Sequence, residues 1–109
     1  MGKIYRFIEP AILKLLAEHG EAHGYELHER LSTSALTEST VDRAAMYRSL
    51  RTLEENGHVT SRWDKGECAP ARRVYQLTEN GRQHLGEWTA LLERLGEAML
   101  QFVKESRKL

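Results

Sequence analysis

The stretch Ala44–Trp63, "AAMYRSLRTLEENGHVTSRW", decides the fold, because it carries helical periodicity up to Asn56-Gly57 and then alternates like a strand. With about 100° per residue, Met46, Leu50 and Leu53 cluster within about 60° of one another. Tyr47, Arg48, Arg51 and Ala44 lie opposite, with Arg43 near their edge. One face reads as core and the other as exposed and basic. The small Ala44 and Ala45 at the helix start leave room for close approach to base edges or a thymine methyl, and guanidinium groups suit guanine or phosphate. A solvated surface, with Arg48 and Arg51 paired to Glu54 or Glu55 at helical spacing, fits the same residues. Tyr47 sits at the margin, where a half-buried packing role and a phosphate contact are both consistent with its position.

Reading outward, Asp42 is the expected N-cap of this helix, with Ser39 and Thr40 as alternatives, and Gly57 suits a left-handed exit after Glu55. Upstream, Ile8, Ile12, Leu15 and Leu16 predict a helix over about Ile8 to His19, with Pro10 near its start and Gly20 at its end. A short second helix is expected from about Gly24 to Ser32, with Tyr25, Leu27 and Leu31 as its apolar members, followed by the polar connection "STSALTEST". Downstream, "HVTSRW" places Val59 and Trp63 on one face, and "RRVYQL" does the same for Tyr75 and Leu77. Between them "DKGECAPA", with Gly66 and Pro70, makes a long hairpin tip. Thr78 caps a last helix that starts at about Glu79 and runs nearly to the end. Three helices followed at once by a hairpin predict a mainly α fold with a two-stranded β-wing: a winged helix-turn-helix plus a long C-terminal helix. In such a fold the third helix enters the DNA major groove and the hairpin touches the flanking backbone. Residues 1–78 are expected to form the DNA-binding domain, and 79–109 a dimerisation helix packed on the same domain.

The chain has 109 residues and is 40% hydrophobic, enough for one domain with a modest core. Its 16 Lys and Arg balance 16 Asp and Glu, so no global field draws it to nucleic acid or an anionic membrane. The charge is instead segregated. From Arg43 to Arg73 there are seven basic residues (Arg43, Arg48, Arg51, Arg62, Lys65, Arg72 and Arg73) against four acidic ones (Glu54, Glu55, Asp64 and Glu67). Such clustering beside the third helix is the footprint that phosphate binding requires. The first twenty residues, "MGKIYRFIEPAILKLLAEHG", carry Lys3, Arg6 and Glu9 and read as neither signal peptide nor membrane span, so a cytoplasmic protein is expected.

"HGYELHERL", "YRSLRTLEENGHV" and "RRVYQLTENGRQHL", in that order, closely resemble the PadR family of bacterial transcriptional regulators. Members share a Gly-Tyr-x-Leu second helix, a Tyr-x-x-Leu-x-x-Leu-Glu recognition helix and a Tyr-x-Leu-Thr-x-x-Gly entry into the last helix. The resemblance covers nearly the whole chain and implies a homodimeric winged-helix repressor acting on a double-stranded DNA operator. It implies DNA contacts from Arg43, Tyr47, Arg48 and Arg51, and wing contacts from Lys65, Arg72 and Arg73; Ala44 joins them as the small side chain at the helix start. This chain departs from many members at Arg43-Ala44-Ala45, where they begin the helix with Pro-Gly or Ser-Gly.

Along the last helix Leu85, Trp88, Leu92, Leu95, Met99 and Phe102 are spaced 3, 4, 3, 4, 3, an a/d seam of about two and a half heptads. The part near Leu85 is expected to pack on the first helix, and the far end to pair with a second copy. Gly86 and Gly96 each weaken an isolated helix by about 1 kcal/mol and read as sites of close backbone approach. The resemblance implies an aromatic residue of this helix lining a cavity for a small hydrophobic or aromatic effector. Trp88 is placed for that role, although a tryptophan in a heptad core is more often plain packing.

The five histidines include no pair four apart within one uninterrupted helix, so no metal site or other cofactor is expected. Cys68, alone in the chain, excludes an internal disulfide. It reads either as an inert thiol or as one activated by Lys65, Arg72 and Arg73. No glycine-rich phosphate loop, nucleophile elbow or acid/base pair suggests an enzyme. The competing class is a winged-helix module for protein contacts, which would need no basic face on its third helix.

Overall fold

Helix α1 (Ile8–His19) buries Ile8, Ile12, Leu13 and Leu16, a stripe at helical spacing, and ends where Gly20 adopts a φ of 82°. These observations come from a computed structural model that describes residues 7–33, 41–64 and 71–109. Strand β1 (Glu21–His23) leads directly into helix α2 (Gly24–Leu31). The carboxylate of Glu26 closes the first turn of α2, accepting from the His23 backbone N–H at 3.0 Å and lying 2.7 Å from His23 Nδ1. Leu27 and Leu31 are buried, but Tyr25 is 58% exposed, so it is not the core member that periodicity suggested. The His28 ring meets the Val41 carbonyl at 2.6 Å and ties α2 to the approach of the next helix.

Helix α3 (Arg43–Glu55) starts at Asp42, whose carboxylate accepts from the Ala45 N–H at 3.3 Å. Ser39 and Thr40, the alternative caps, lie outside the described residues. Met46, Leu50 and Leu53 are at most 1% exposed, which makes this face part of the core. Burial of each such side chain stabilises the fold by about 1.5–3 kcal/mol before entropy is counted. Gly57, at φ 78°, turns the chain out of the helix into strand β2 (Val59–Asp64). Strand β3 (Arg72–Leu77) pairs antiparallel with it from Val59 opposite Leu77 to Asp64 opposite Arg72.

The sheet has three strands rather than the two expected, in the order β1-β3-β2. Ala22 sits opposite Tyr75, and both are buried. A strand of three residues between two glycines has no alternation to read, so only pairing with β3 reveals it. Pairing also carries Asp64 into β2, although its residue type suggested the hairpin tip. Val59 is buried while Trp63, of the same strand parity, is 62% exposed, because the far end of the hairpin runs past the helices that cover its base.

Helix α4 (Glu79–Arg107) is capped by Thr78, which accepts from the Gly81 N–H at 2.9 Å and donates to the Gly57 carbonyl at 2.6 Å. The α3 exit and the α4 entry are thereby pinned together. Any Cβ at Gly81 would strike the His58 carbonyl, so glycine alone allows this contact. Beside it the rings of His58 and His84 stack at 4.0 Å with 6° between their planes. Leu85 and Trp88 pack on the core, with Trp88 edge-on to Phe7 at 6.5 Å. Farther along, α4 leaves the body of the molecule. A Cβ at Gly86 or Gly96 would meet nothing within 4 Å among the described residues, so neither glycine serves close backbone approach to them.

Candidate nucleic-acid interface

Because the buried stripe of α3 occupies one side, its remaining residues have to face outward. Arg43, Ala44, Tyr47, Arg48 and Arg51 are all exposed, whereas the Ala45 methyl points into the core and leaves Ala44 alone as the small outward residue. Arg48 and Arg51 form no ion pair among the described residues, so the pairing to Glu54 or Glu55 that spacing allowed does not occur. Glu54 instead accepts from Ser61 at 2.7 Å and lies 3.6 Å from Arg73. The Arg43 guanidinium stands over the Tyr25 ring at 5.8 Å.

The wing arginines separate into distinct environments. Arg62 makes two hydrogen bonds to the Glu21 carboxylate, both at 3.0 Å. These bonds hold the Glu21 carboxyl below its usual pKa and raise that of Arg62, so this cation is neutralised within the sheet and withdrawn from the basic surface. Arg73 donates from Nε to Ser61 at 2.9 Å, approaches Glu54 and covers the Trp63 ring at 5.5 Å. Arg72, two strand positions from Val74 and exposed, has no such partner among the described residues. Lys65 and Cys68 lie outside the described residues.

Where the N-terminus of α2, the outer side of α3 and strand β3 meet, an open cleft of about 480 Å³ is lined by His23, Gly24, Tyr25, Tyr47, Arg72, Arg73 and Tyr75. His23 bridges its rim, with Nδ1 2.7 Å from Glu26 and Nε2 3.8 Å from Asp64. The Tyr25 phenol is shifted to higher pKa by a hydrogen bond to Glu29, and the Tyr75 phenol by burial. Sequence reading placed Tyr47, Arg72 and Arg73 in a contact surface but missed His23, Tyr25 and Tyr75, which come together only through the β1–β3 pairing. The one local hint was the adjacency of His23-Gly24-Tyr25 to a helix start.

On α4 the predicted seam divides at about Leu91. Leu85 and Trp88 belong to the chain's own core, while Leu95, Met99 and Phe102 are exposed, Phe102 by 69%. Leu92 is half-buried. Leu91, Leu100 and Val103, absent from the seam read in the sequence, widen the exposed apolar stripe. Phe7, Trp88, Leu91, Leu95 and Met99 line an open pocket of about 230 Å³, and the Trp88 Nε1 is buried without a hydrogen-bond partner among the described residues. No group of three or more described His, Cys, Asp or Glu residues is placed to hold a metal ion.

Comparison with known proteins places this geometry. The family model of the PadR-like transcriptional regulators matches residues 12–87. A transcriptional regulator from Clostridium thermocellum superposes with a TM-score of 0.81 at 23% identity, covering 92% of this chain and 93% of that one. The structure of Bacillus subtilis PadR in complex with operator DNA superposes with a TM-score of 0.66 at 28% identity, covering 77% of this chain and 47% of that one. Among curated proteins, the probable transcriptional regulator Rv1176c of Mycobacterium tuberculosis is 34% identical over 80 residues, 73% of this chain. The match spans 42% of that relative's length, less than half. The matched family consists of transcriptional regulators and not enzymes. With its three ordered motifs, winged-helix fold and a family match over most of its length, the chain belongs to the PadR-like family of transcriptional regulators.

Proposed function

We propose that this protein is a homodimeric repressor that grips a two-part DNA operator through α3 and the wing and is released by a small planar hydrophobic or aromatic effector. The observation that carries the reading is the division of α3. Arg43, Arg48 and Arg51 stand exposed on a helix anchored by Met46, Leu50 and Leu53, beside a wing strand that adds Arg72. Arg48 and Arg51 are the base-reading candidates, with Ala44 allowing close approach; Arg43, Tyr47, Lys65, Arg72 and Arg73 serve the backbone. The solved structure of Bacillus subtilis PadR in complex with operator DNA supports operator DNA as the partner.

Residues 1–78 then form the DNA-binding unit, and 79–109 pair two copies. The exposed stripe from Leu91 to Val103 supports pairing, since nothing among the described residues covers it. The open apolar pocket beside Trp88, lined by Phe7, Leu91, Leu95 and Met99, supports binding of a hydrophobic or aromatic effector. No helix among the described residues is long and apolar enough to cross a membrane, consistent with work in the cytoplasm.

Mobility shifts of Arg48→Ala and Arg51→Ala, on DNA from upstream of the protein's own gene and on a scrambled duplex, test the central reading. A base-reading arginine should cost about 1–3 kcal/mol on the cognate duplex and much less on the scrambled one. Unchanged affinity on both duplexes would remove α3 from the binding surface.

A further inference from the structure

The cleft between α2, α3 and β3 holds a polar group with no evident structural purpose. Tyr75 is only 6% exposed, yet its hydroxyl borders the cleft and has no hydrogen-bond partner among the described residues. A phenylalanine would fill the same core volume, so what the tyrosine adds is a hydroxyl donor at the cleft. Across the cleft the Tyr47 hydroxyl rests on Gly24, where any Cβ would collide with it. Gly24 and Tyr25 are the first residues of α2, so the positive end of that helix borders the same space. Arg72 brings a cation that forms no ion pair among the described residues, although Asp64 stands opposite it in the sheet.

The lining contains no acidic residue, although acids and bases are equal in number over the chain. Of the nearby carboxylates, Glu26 is engaged by His23 and Arg30 and Glu54 by Ser61 and Arg73, while Asp64 stands opposite Arg72 in the sheet and 3.8 Å from His23. The lining is thus a concave site of O–H and N–H donors with a cation, Arg72, that forms no ion pair among the described residues. That chemistry matches a phosphodiester anion.

We propose that this cleft seats one DNA backbone phosphate, with the hydroxyls of Tyr75 and Tyr47 and the Arg72 guanidinium as its donors. The seat rests on the operator-binding reading. Tyr47 precedes Arg48 on the same helix, so a duplex whose groove receives Arg48 and Arg51 brings its backbone over Tyr47 and the mouth of the cleft. A contact of this kind sets the register of α3 in the groove without reading sequence.

Tyr75→Phe removes only the hydroxyl. It should lower affinity for the operator and for a scrambled duplex by the same factor, roughly five- to tenfold, the worth of one hydrogen bond. The salt slope should not change, because no charge is lost, whereas Arg72→Ala should flatten it by about 0.9. Operator duplexes carrying a single neutral methylphosphonate identify the seated linkage. At one position the wild type should lose affinity and Tyr75→Phe should lose nothing more. Gly24→Ala, which drives a methyl into the Tyr47 hydroxyl, should also weaken both duplexes equally and stands in if Tyr75→Phe melts early. Wild-type affinity in Tyr75→Phe and Gly24→Ala, or a Tyr75→Phe penalty that persists with every methylphosphonate duplex, overturns the seat. If Arg48→Ala and Arg51→Ala still impair operator binding in that case, DNA recognition by α3 stands without the seat. A wild type that binds no duplex overturns both.

Discussion

Two adjacent wing arginines should behave differently when replaced, although nothing in their residue type distinguishes them. Arg72 is exposed and has no described partner, so Arg72→Ala should leave the melting curve in place. If it holds a phosphate, its loss removes about 0.9 from the log–log salt slope, and between about 50 and 200 mM salt this becomes an affinity change smaller by about 3.5-fold than in the wild type. Arg73 is engaged by Ser61 at 2.9 Å, Glu54 at 3.6 Å and the Trp63 ring at 5.5 Å. An exposed cation–π contact contributes about 0.5–1 kcal/mol, a surface ion pair about 0–1, and a hydrogen bond about 0.5–1.5. These overlap, so Arg73→Ala should cost about 1–2 kcal/mol and lower the melting temperature by roughly 5–10 °C. Its salt slope should change less than that of Arg72→Ala. Fluorescence-anisotropy titrations at four salt concentrations, with a melt of each variant, measure both quantities. An unchanged slope in Arg72→Ala refutes the reasoning, as does an Arg73→Ala variant that melts like wild type while flattening the slope fully.

Leu50→Ala, which empties a site 1% exposed in the wild type, should destabilise by about 2–5 kcal/mol in denaturant unfolding, and a smaller loss would mean that α3 is not anchored as described. Leu95→Glu with Met99→Glu should yield a monomer or an unfolded chain by light scattering, and an intact dimer would move the pairing surface off α4. For Glu21, whose carboxyl is held below its usual pKa by Arg62, stabilisation is present above the unfolded value and is lost as pH falls through the folded one. Glu21→Gln should therefore melt below wild type at neutral pH and converge with it in acid beneath the ordinary glutamate range. A gap that persists in acid would rule out the ion pair as its source.

Much of the fold is legible locally. The bounds of α1, α3 and α4, the Asp42 and Thr78 caps and the left-handed Gly57 depend on residues within a turn or two of each other, so spacing and cap chemistry reveal them. The two-faced character of α3 follows from the same periodicity, and it carries most of the functional reading. The apolar seam of α4 is equally visible, though not where the chain's own core stops covering it.

Tertiary structure alone decided the rest. Strand β1 exists because Ala22 meets Tyr75 across the sheet, and that pairing brings His23 and Gly24 beside Tyr47 and Arg72. Strand register, not residue type, separates Arg62, closed on Glu21, from Arg73, held by Ser61 and Glu54, and from Arg72, left without a described partner. A cation contributes to a binding surface only when no nearby carboxylate has neutralised it. Because Glu21 and Arg62 are 41 positions apart in sequence, that neutralisation is set by the packing of the sheet and cannot be read along the chain.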